Sequence, residues 1–244
     1  MKTNHPWLKQ IAALGFLLVM GTSMSTEAGL FGFGGVSWKE EVLLHDGSKI
    51  IAERKVERGG RHEIGQQPPI MEQSLTFTQP TTNERITWKS EYSKDVGLAD
   101  LMPLLVDTFG GAAYVVAVPV GCLSYNKWGR PNPPYVVLKY ERKEWKRIPL
   151  QELPSEIKTP NLIISSPDNK VEKIGKSPVS AEMIQQINSG LDQPEYKTIL
   201  REVLKGGGIT SCEEMVRVKD GWISPGGAKA PIPIKASPPS DVKK

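Results

Sequence analysis

VSWKEEVLLHDGSKIIAERKV, residues 36–56, reads as two strands joined by a turn. Val36–Leu44 leads through His45-Asp46-Gly47-Ser48 into Lys49–Val56, and the Asp-Gly pair suits a hairpin because glycine accepts positive φ without penalty. The same unit recurs downstream. Ser74–Thr78 and Arg85–Tyr92 flank Pro80–Glu84; Leu101–Thr108 and Ala112–Val120 flank Phe109-Gly110-Gly111; Tyr135–Tyr140 and Glu144–Leu150 flank Glu141-Arg142-Lys143. Leu162–Ser165 is a candidate ninth strand. Leu75, Phe77, Ile86 and Trp88 alternate with Thr and charged neighbours, the period-two pattern of a strand with one face inside. Short strands at close spacing, with turn signals between them, predict antiparallel hairpins forming a sandwich or a barrel. The hairpins start at irregular intervals, so they do not mark a repeat, and a propeller-like arrangement is a weaker alternative.

The pattern changes after Pro178. Ser180 can cap a helix whose apolar face is Met183, Ile184, Ile187 and Leu191. Asp192 and Glu195 have capping-box spacing, and Tyr196, Ile199, Leu200 and Val203 then fall at i, i+3, i+4 and i+7. These features predict a C-terminal pair of amphipathic helices at about 180–205, ended by Gly206-Gly207-Gly208. The fold class expected is mainly β, α+β overall.

The N-terminus gives an address. Lys2 and Lys9 precede the apolar run Ile11–Met20, and Gly21–Ala28 supplies small and polar residues; this is the layout of a secretory signal peptide. The apolar run is too short to cross a bilayer, which needs about 20 such residues. The expected organisation is a signal peptide at 1–28, a glycine-rich lead-in at 29–35, a β-rich domain at 36–223 and a Pro/Lys-rich disordered tail at 224–244. The mature chain would be periplasmic or secreted, with no membrane span after signal cleavage.

Charge and cysteine content narrow the function classes. The chain carries 31 Lys and Arg against 27 Asp and Glu, and the basic residues are interspersed with acidic ones, as in Lys139–Arg147. That balance lacks the basic stripe expected of a nucleic-acid binder. Cys122 and Cys212 are the only cysteines, and in an oxidising compartment such a pair bridges. Two Cys without CxxC spacing make half a ligand set, so no metal or other cofactor is expected.

No catalytic motif emerges. The exported part has two histidines: His45 reads as a solvated turn residue and His62 as part of an exposed connector, Gly59–Pro69. Ser124–Lys127 and Ser155–Lys158 match S-x-x-K, but Lys158-Thr159 is followed by Pro160 rather than the glycine of a K-T-G partner. Glu40 and Glu41 neighbour each other on a strand and so face opposite sides.

Gly121–Pro134 is the best candidate for a ligand site, because it is a long, non-periodic connection within a run of short hairpins. Tyr125 and Trp128 offer flat apolar faces, and Asn126, Arg130 and Asn132 add directional hydrogen bonds. That inventory suits a sugar, a peptide or a carboxylate. The segment Lys127–Tyr140, KWGRPNPPYVVLKY, resembles part of an uncharacterised family of exported bacterial proteins, and the likeness extends loosely from Trp38 to about Cys212. The resemblance implies a secreted single domain. The family carries no established activity, so no site is implied.

The expectation is an exported, non-enzymatic binding or structural protein of the bacterial envelope, meeting an envelope component or protein partner through residues 121–134. The alternative is an envelope hydrolase acting on polysaccharide or peptide, which requires His62 or carboxylates such as Asp95, Asp100 and Asp107 to converge near Trp128.

Overall fold

A computed structural model describes residues 35–226. The expected signal peptide, nearly all of the lead-in and most of the tail lie outside the described residues. In chain order the strands are β1 (Val36–Leu43), β2 (Lys49–Arg58), β3 (Ile70–Thr78), β4 (Arg85–Ser90), β5 (Tyr92–Ser93), β6 (Leu98–Ala99), β7 (Leu101–Phe109), β8 (Ala112–Pro119), β9 (Val136–Glu141), β10 (Glu144–Ile148), β11 (Val216–Val218) and β12 (Gly221–Ile223). The helices are α1 (Gly121–Lys127), α2 (Pro167–Ile174), α3 (Ala181–Ser189) and α4 (Pro194–Lys197).

The four expected hairpins form two open antiparallel sheets, ordered β1-β2-β3-β4 and β10-β9-β8-β7. Neither sheet closes into a barrel. They face each other across one core: Val42, Ala52, Leu75, Phe77, Ile86 and Trp88 from the first meet Val106, Ala113, Val115, Ala117, Val136 and Leu138 from the second. Burial in the first sheet alternates, as in β4, so its outer face is polar. β7 and β8 are buried on both faces, which is why they read as nearly continuous apolar runs. Leu104, Tyr114, Val116 and Val137 on the far face of the second sheet are covered by Leu153, Ile157, Ile164 and Ile199. A third cluster joins Trp38 and Val56 to Val171 of α2 and Ile184 of α3.

Turn chemistry follows the sequence. Gly47 has φ +84°, and Leu44 N–H donates to the Ser48 carbonyl at 2.8 Å to close the β1–β2 hairpin. Leu162–Ser165 is not a strand. Pro103 cannot donate to a ladder, and β7 has a register shift between Pro103 and Leu105. The freed Leu104 carbonyl accepts from the N–H groups of Asn161 and Leu162, and the Asn161 side chain bonds both the N–H and the carbonyl of Val106. The 161–164 segment is therefore buried and pinned by the Leu104 carbonyl and by the side chains of Asn161, Asn188, Glu40 and Arg54 rather than through a ladder.

The helical expectation needs correction. Ser180 does cap α3, its hydroxyl accepting from Met183 N–H at 3.3 Å. The second helix is only the four residues of α4, with Pro194 in its first turn and no side-chain cap at Gln193. Beyond it the chain turns extended at Thr198, and Ile199 N–H donates to the Lys158 carbonyl at 2.7 Å. The Tyr135 hydroxyl lies 3.0 Å from the Glu195 carbonyl and 3.1 Å from that of Thr198, and it accepts from Leu200 N–H. Burial pushes this phenol up to about 12. Helical periodicity at 196–203 thus yields to tertiary hydrogen bonds.

α2 is anchored by a partly buried ion pair. Arg58 Nε and Nη2 grip Asp168 Oδ2 and Oδ1 at 2.6 and 2.8 Å. Burial alone would raise the Asp168 carboxyl, but the hydrogen bond and charge of Arg58 outweigh it and hold the group below its ordinary value. A depressed carboxylate contributes stability that is present above the unfolded-state value and lost as pH falls through the folded one. The urea midpoint of the wild type should therefore exceed that of Asp168→Asn at ~pH 6, with the gap closing below ~pH 4. A gap that stays constant down to ~pH 2 would disprove the assignment.

Candidate functional site

The 121–134 connection contains a helix. Gly121 has φ +76°, which lets the chain leave β8 and turn at once into α1. Val120 N–H and the Ser124 hydroxyl both donate to the Asp100 carbonyl, fixing α1 against the start of β7. Cys122 on α1 is joined to Cys212 by a disulfide with a Cα separation of 5.4 Å.

The five candidate residues take different parts. Tyr125 is buried, with the Arg130 guanidinium 5.0 Å from its ring centre, and burial raises its phenol. Asn126 donates to the carbonyls of Cys122 and Glu213 and accepts from Met215 N–H. Arg130 donates to the carbonyls of Cys212 and Glu213. Asn132 exchanges both bonds with the backbone of Leu204, at 3.0 and 2.8 Å. Three side chains read as ligand donors thus hold the 204–215 segment beside the disulfide.

Trp128 is the one that borders the cleft between the two sheets. It packs partly against the inter-sheet core, and the Arg147 guanidinium sits 5.5 Å from its ring centre. Its Nε1–H is buried and has no hydrogen-bond partner among the described residues. With Trp145, Trp88 and Tyr92 it lines a cleft of about 320 Å³. Lys127 and Asp100 form an ion pair at the cleft wall, and Ser93 Oγ accepts from Lys127 Nζ at 3.0 Å. Tyr92 is 37 % exposed, whereas Trp88 is buried. Trp145 donates through Nε1 to the Thr87 carbonyl and stands 5.2 Å from the Tyr140 ring. Tyr92 and Trp145 were not singled out from sequence; each lies in a strand-like segment, and only the facing of the two sheets brings them beside Trp128.

The groups that a hydrolase would need are scattered. His62 is exposed, its Nδ1 3.2 Å from the Gly60 carbonyl. Asp95 is paired with Arg217, and its carbonyl accepts from Trp222 Nε1–H. Of these groups Asp100 borders the Trp128 cleft, where Glu91 is the other carboxylate of the wall.

His45 departs from expectation in part. It stands in an exposed turn as expected, but its side chain is mostly covered and partnered: its ring lies 5.3 Å from that of Phe109, and its Nδ1 is 2.7 Å from Asp107 Oδ1. Asp107 lies 62 positions away on β7 and is buried, so this pairing has no local signal. Burial raises the Asp107 carboxyl, against the opposing pull of His45 and the Thr108 N–H.

No family model matches the chain, and neither the curated proteins nor the solved structures contain a match to it. Among the described residues no helix is long and apolar enough to cross a membrane.

Proposed function

We propose that the chain is an exported, non-enzymatic binding or structural protein of the bacterial envelope, meeting an envelope component or protein partner at the cleft beside Trp128. The observation that carries this reading is the cleft itself: three tryptophans and a tyrosine around a small opening, with the Lys127–Asp100 ion pair, Lys89, Glu91 and two serine hydroxyls at its wall. Aromatic faces with a few convergent polar groups suit a partner that offers C–H surface and hydrogen bonds together. The Cys122–Cys212 bridge supports an oxidising compartment, in line with the N-terminal layout. The resemblance of residues 127–140 to exported bacterial proteins points the same way.

The test uses Tyr92, because its half-open side chain can be removed without opening the core. Immobilised mature protein should capture a component of solubilised native envelope. Tyr92→Ala should reduce that capture about tenfold while the melting temperature moves by no more than about 3 °C. Equal capture by wild type and variant would refute the cleft as the contact. Trp128→Ala is the poorer probe, since it also removes core packing.

A further inference from the structure

A second cavity, of about 400 Å³, opens between the β1–β2 turn and the 156–161 connection. That volume lies within the range of small-molecule sites, about 300–1,000 Å³. His45 and Asp107 stand in its wall with Glu156, Lys158, Thr159 and Gln185.

The hydrogen-bond network fixes the imidazole. Asp107 Oδ2 accepts from His45 N–H at 2.9 Å, and Oδ1 accepts from Thr108 N–H at 2.7 Å. Backbone N–H groups can only donate, so both carboxylate oxygens act as acceptors. The ring nitrogen 2.7 Å from Oδ1 is therefore placed to donate, and in the neutral imidazole that leaves Nε2 as a lone-pair acceptor. Nε2 has no hydrogen-bond partner among the described residues. Nor do the described residues hold a group of three or more His, Cys, Asp or Glu side chains suited to a metal ion.

The remaining wall decides what could meet Nε2. Asp107 and Glu156 are acidic and Lys158 is basic, so the cavity has no excess of positive charge to draw an anion. Lys158 accepts at its backbone carbonyl from Ile199 N–H and the Thr198 hydroxyl, and its ammonium forms no ion pair among the described residues. Donors (Lys158, Gln185) and acceptors (His45 Nε2, Glu156) thus face one space, and a hydroxyl can satisfy either kind. Leu44, Pro160 and Ile184 add buried apolar surface against which a C–H face can pack.

We infer that this cavity binds a neutral, hydroxyl-rich ligand, a saccharide unit, with a ligand hydroxyl donating to His45 Nε2. The site is separate from the Trp128 cleft and does not depend on it.

The experiment is a long-range ¹H–¹⁵N spectrum of histidine-labelled mature protein, titrated with maltotriose, with triacetylchitotriose and with a galacturonate trimer. One of the two neutral sugars should shift the His45 Nε2 resonance below about 10 mM and leave His62 in place. His45→Phe should weaken that sugar's binding about tenfold, as loss of one well-placed hydrogen bond does, while Tyr92→Ala leaves it unchanged. The inference is overturned if neither neutral sugar moves His45, if the anionic trimer binds more tightly, or if binding survives His45→Phe intact.

Discussion

Arg54→Met should lower the unfolding free energy by about 3–5 kcal/mol, the cost of stranding a buried charge. Arg54 is 1 % exposed and its partner Glu40 0 %. Glu40 Oε1 accepts from Arg54 Nη1 at 3.0 Å and from Trp38 Nε1 at 2.7 Å, and Oε2 accepts from Ile163 N–H at 3.0 Å. Arg54 Nη1 also donates to the Ile163 carbonyl at 2.8 Å, and the guanidinium lies 5.2 Å from the Trp38 ring centre. One ion pair therefore joins β1, β2 and the 161–164 segment. Removing Arg54 leaves Glu40 with two N–H donors and no cation in a fully buried site. For a domain of this size such a loss lowers the melting temperature by roughly 6–20 °C. The pair as a whole is worth far less than either half, because both charges had to be desolvated. Arg54 Nη2 is itself buried without a partner among the described residues, which adds to that cost. The double variant Glu40→Gln/Arg54→Met should accordingly recover to within about 2 kcal/mol of wild type, since Gln still accepts from Ile163 N–H. Urea unfolding of the three proteins decides the matter; a single variant within about 1 kcal/mol of wild type would show that water reaches the pair.

The second large effect belongs to the disulfide. Cys122 and Cys212 are 90 positions apart, and a chain-entropy estimate for a loop of that length is about 4–5 kcal/mol. The native state without the bridge keeps the grip of Asn126, Arg130 and Asn132 on residues 204–215. Cys122→Ser/Cys212→Ser should thus lose about 2–5 kcal/mol with the sheets unchanged, and hydrogen exchange should quicken first at residues 204–215. Thiol labelling of denatured, unreduced wild type should find no free cysteine. Labelling of both residues, or an unchanged unfolding midpoint in the double variant, would contradict the assigned role.

What could be read from the sequence was local. The Asp46-Gly47 turn, the period-two faces of β3 and β4 and the Ser180 cap each lie within a few positions of the residues they organise. α1 leaves no mark in the sequence because Gly121–Lys127 has no side-chain cap and only Ser124 and Tyr125 buried, too short a stretch for helical period to register. The 196–203 pattern reads as helical because Tyr196, Ile199 and Leu200 do point inward, but an extended chain bonded to Lys158 and Tyr135 turns them inward as well and leaves Val203 67 % exposed. Long-range pairings left no trace. His45 meets Asp107 only once β7 crosses the hairpin end, and Asn126, Arg130 and Asn132 have the chemistry of a binding loop whether they face a ligand or their own C-terminal segment. Of the five candidate residues only Trp128 borders the aromatic cleft, and its aromatic neighbours come from strands that had no reason to be grouped with it.

The borders of the first sheet bear on self-association. Lys39 and Glu41, on the outer side of β1, exchange backbone bonds with Val179, so a short parallel strip covers the middle of that edge. On the opposite border the Thr87 carbonyl of β4 accepts from the Trp145 indole. A chain approaching either side to add a strand would find the row of open amides and carbonyls already broken. The first sheet carries its own barrier to edge-to-edge pairing, and removing the 177–179 strip is the change that would open its β1 border.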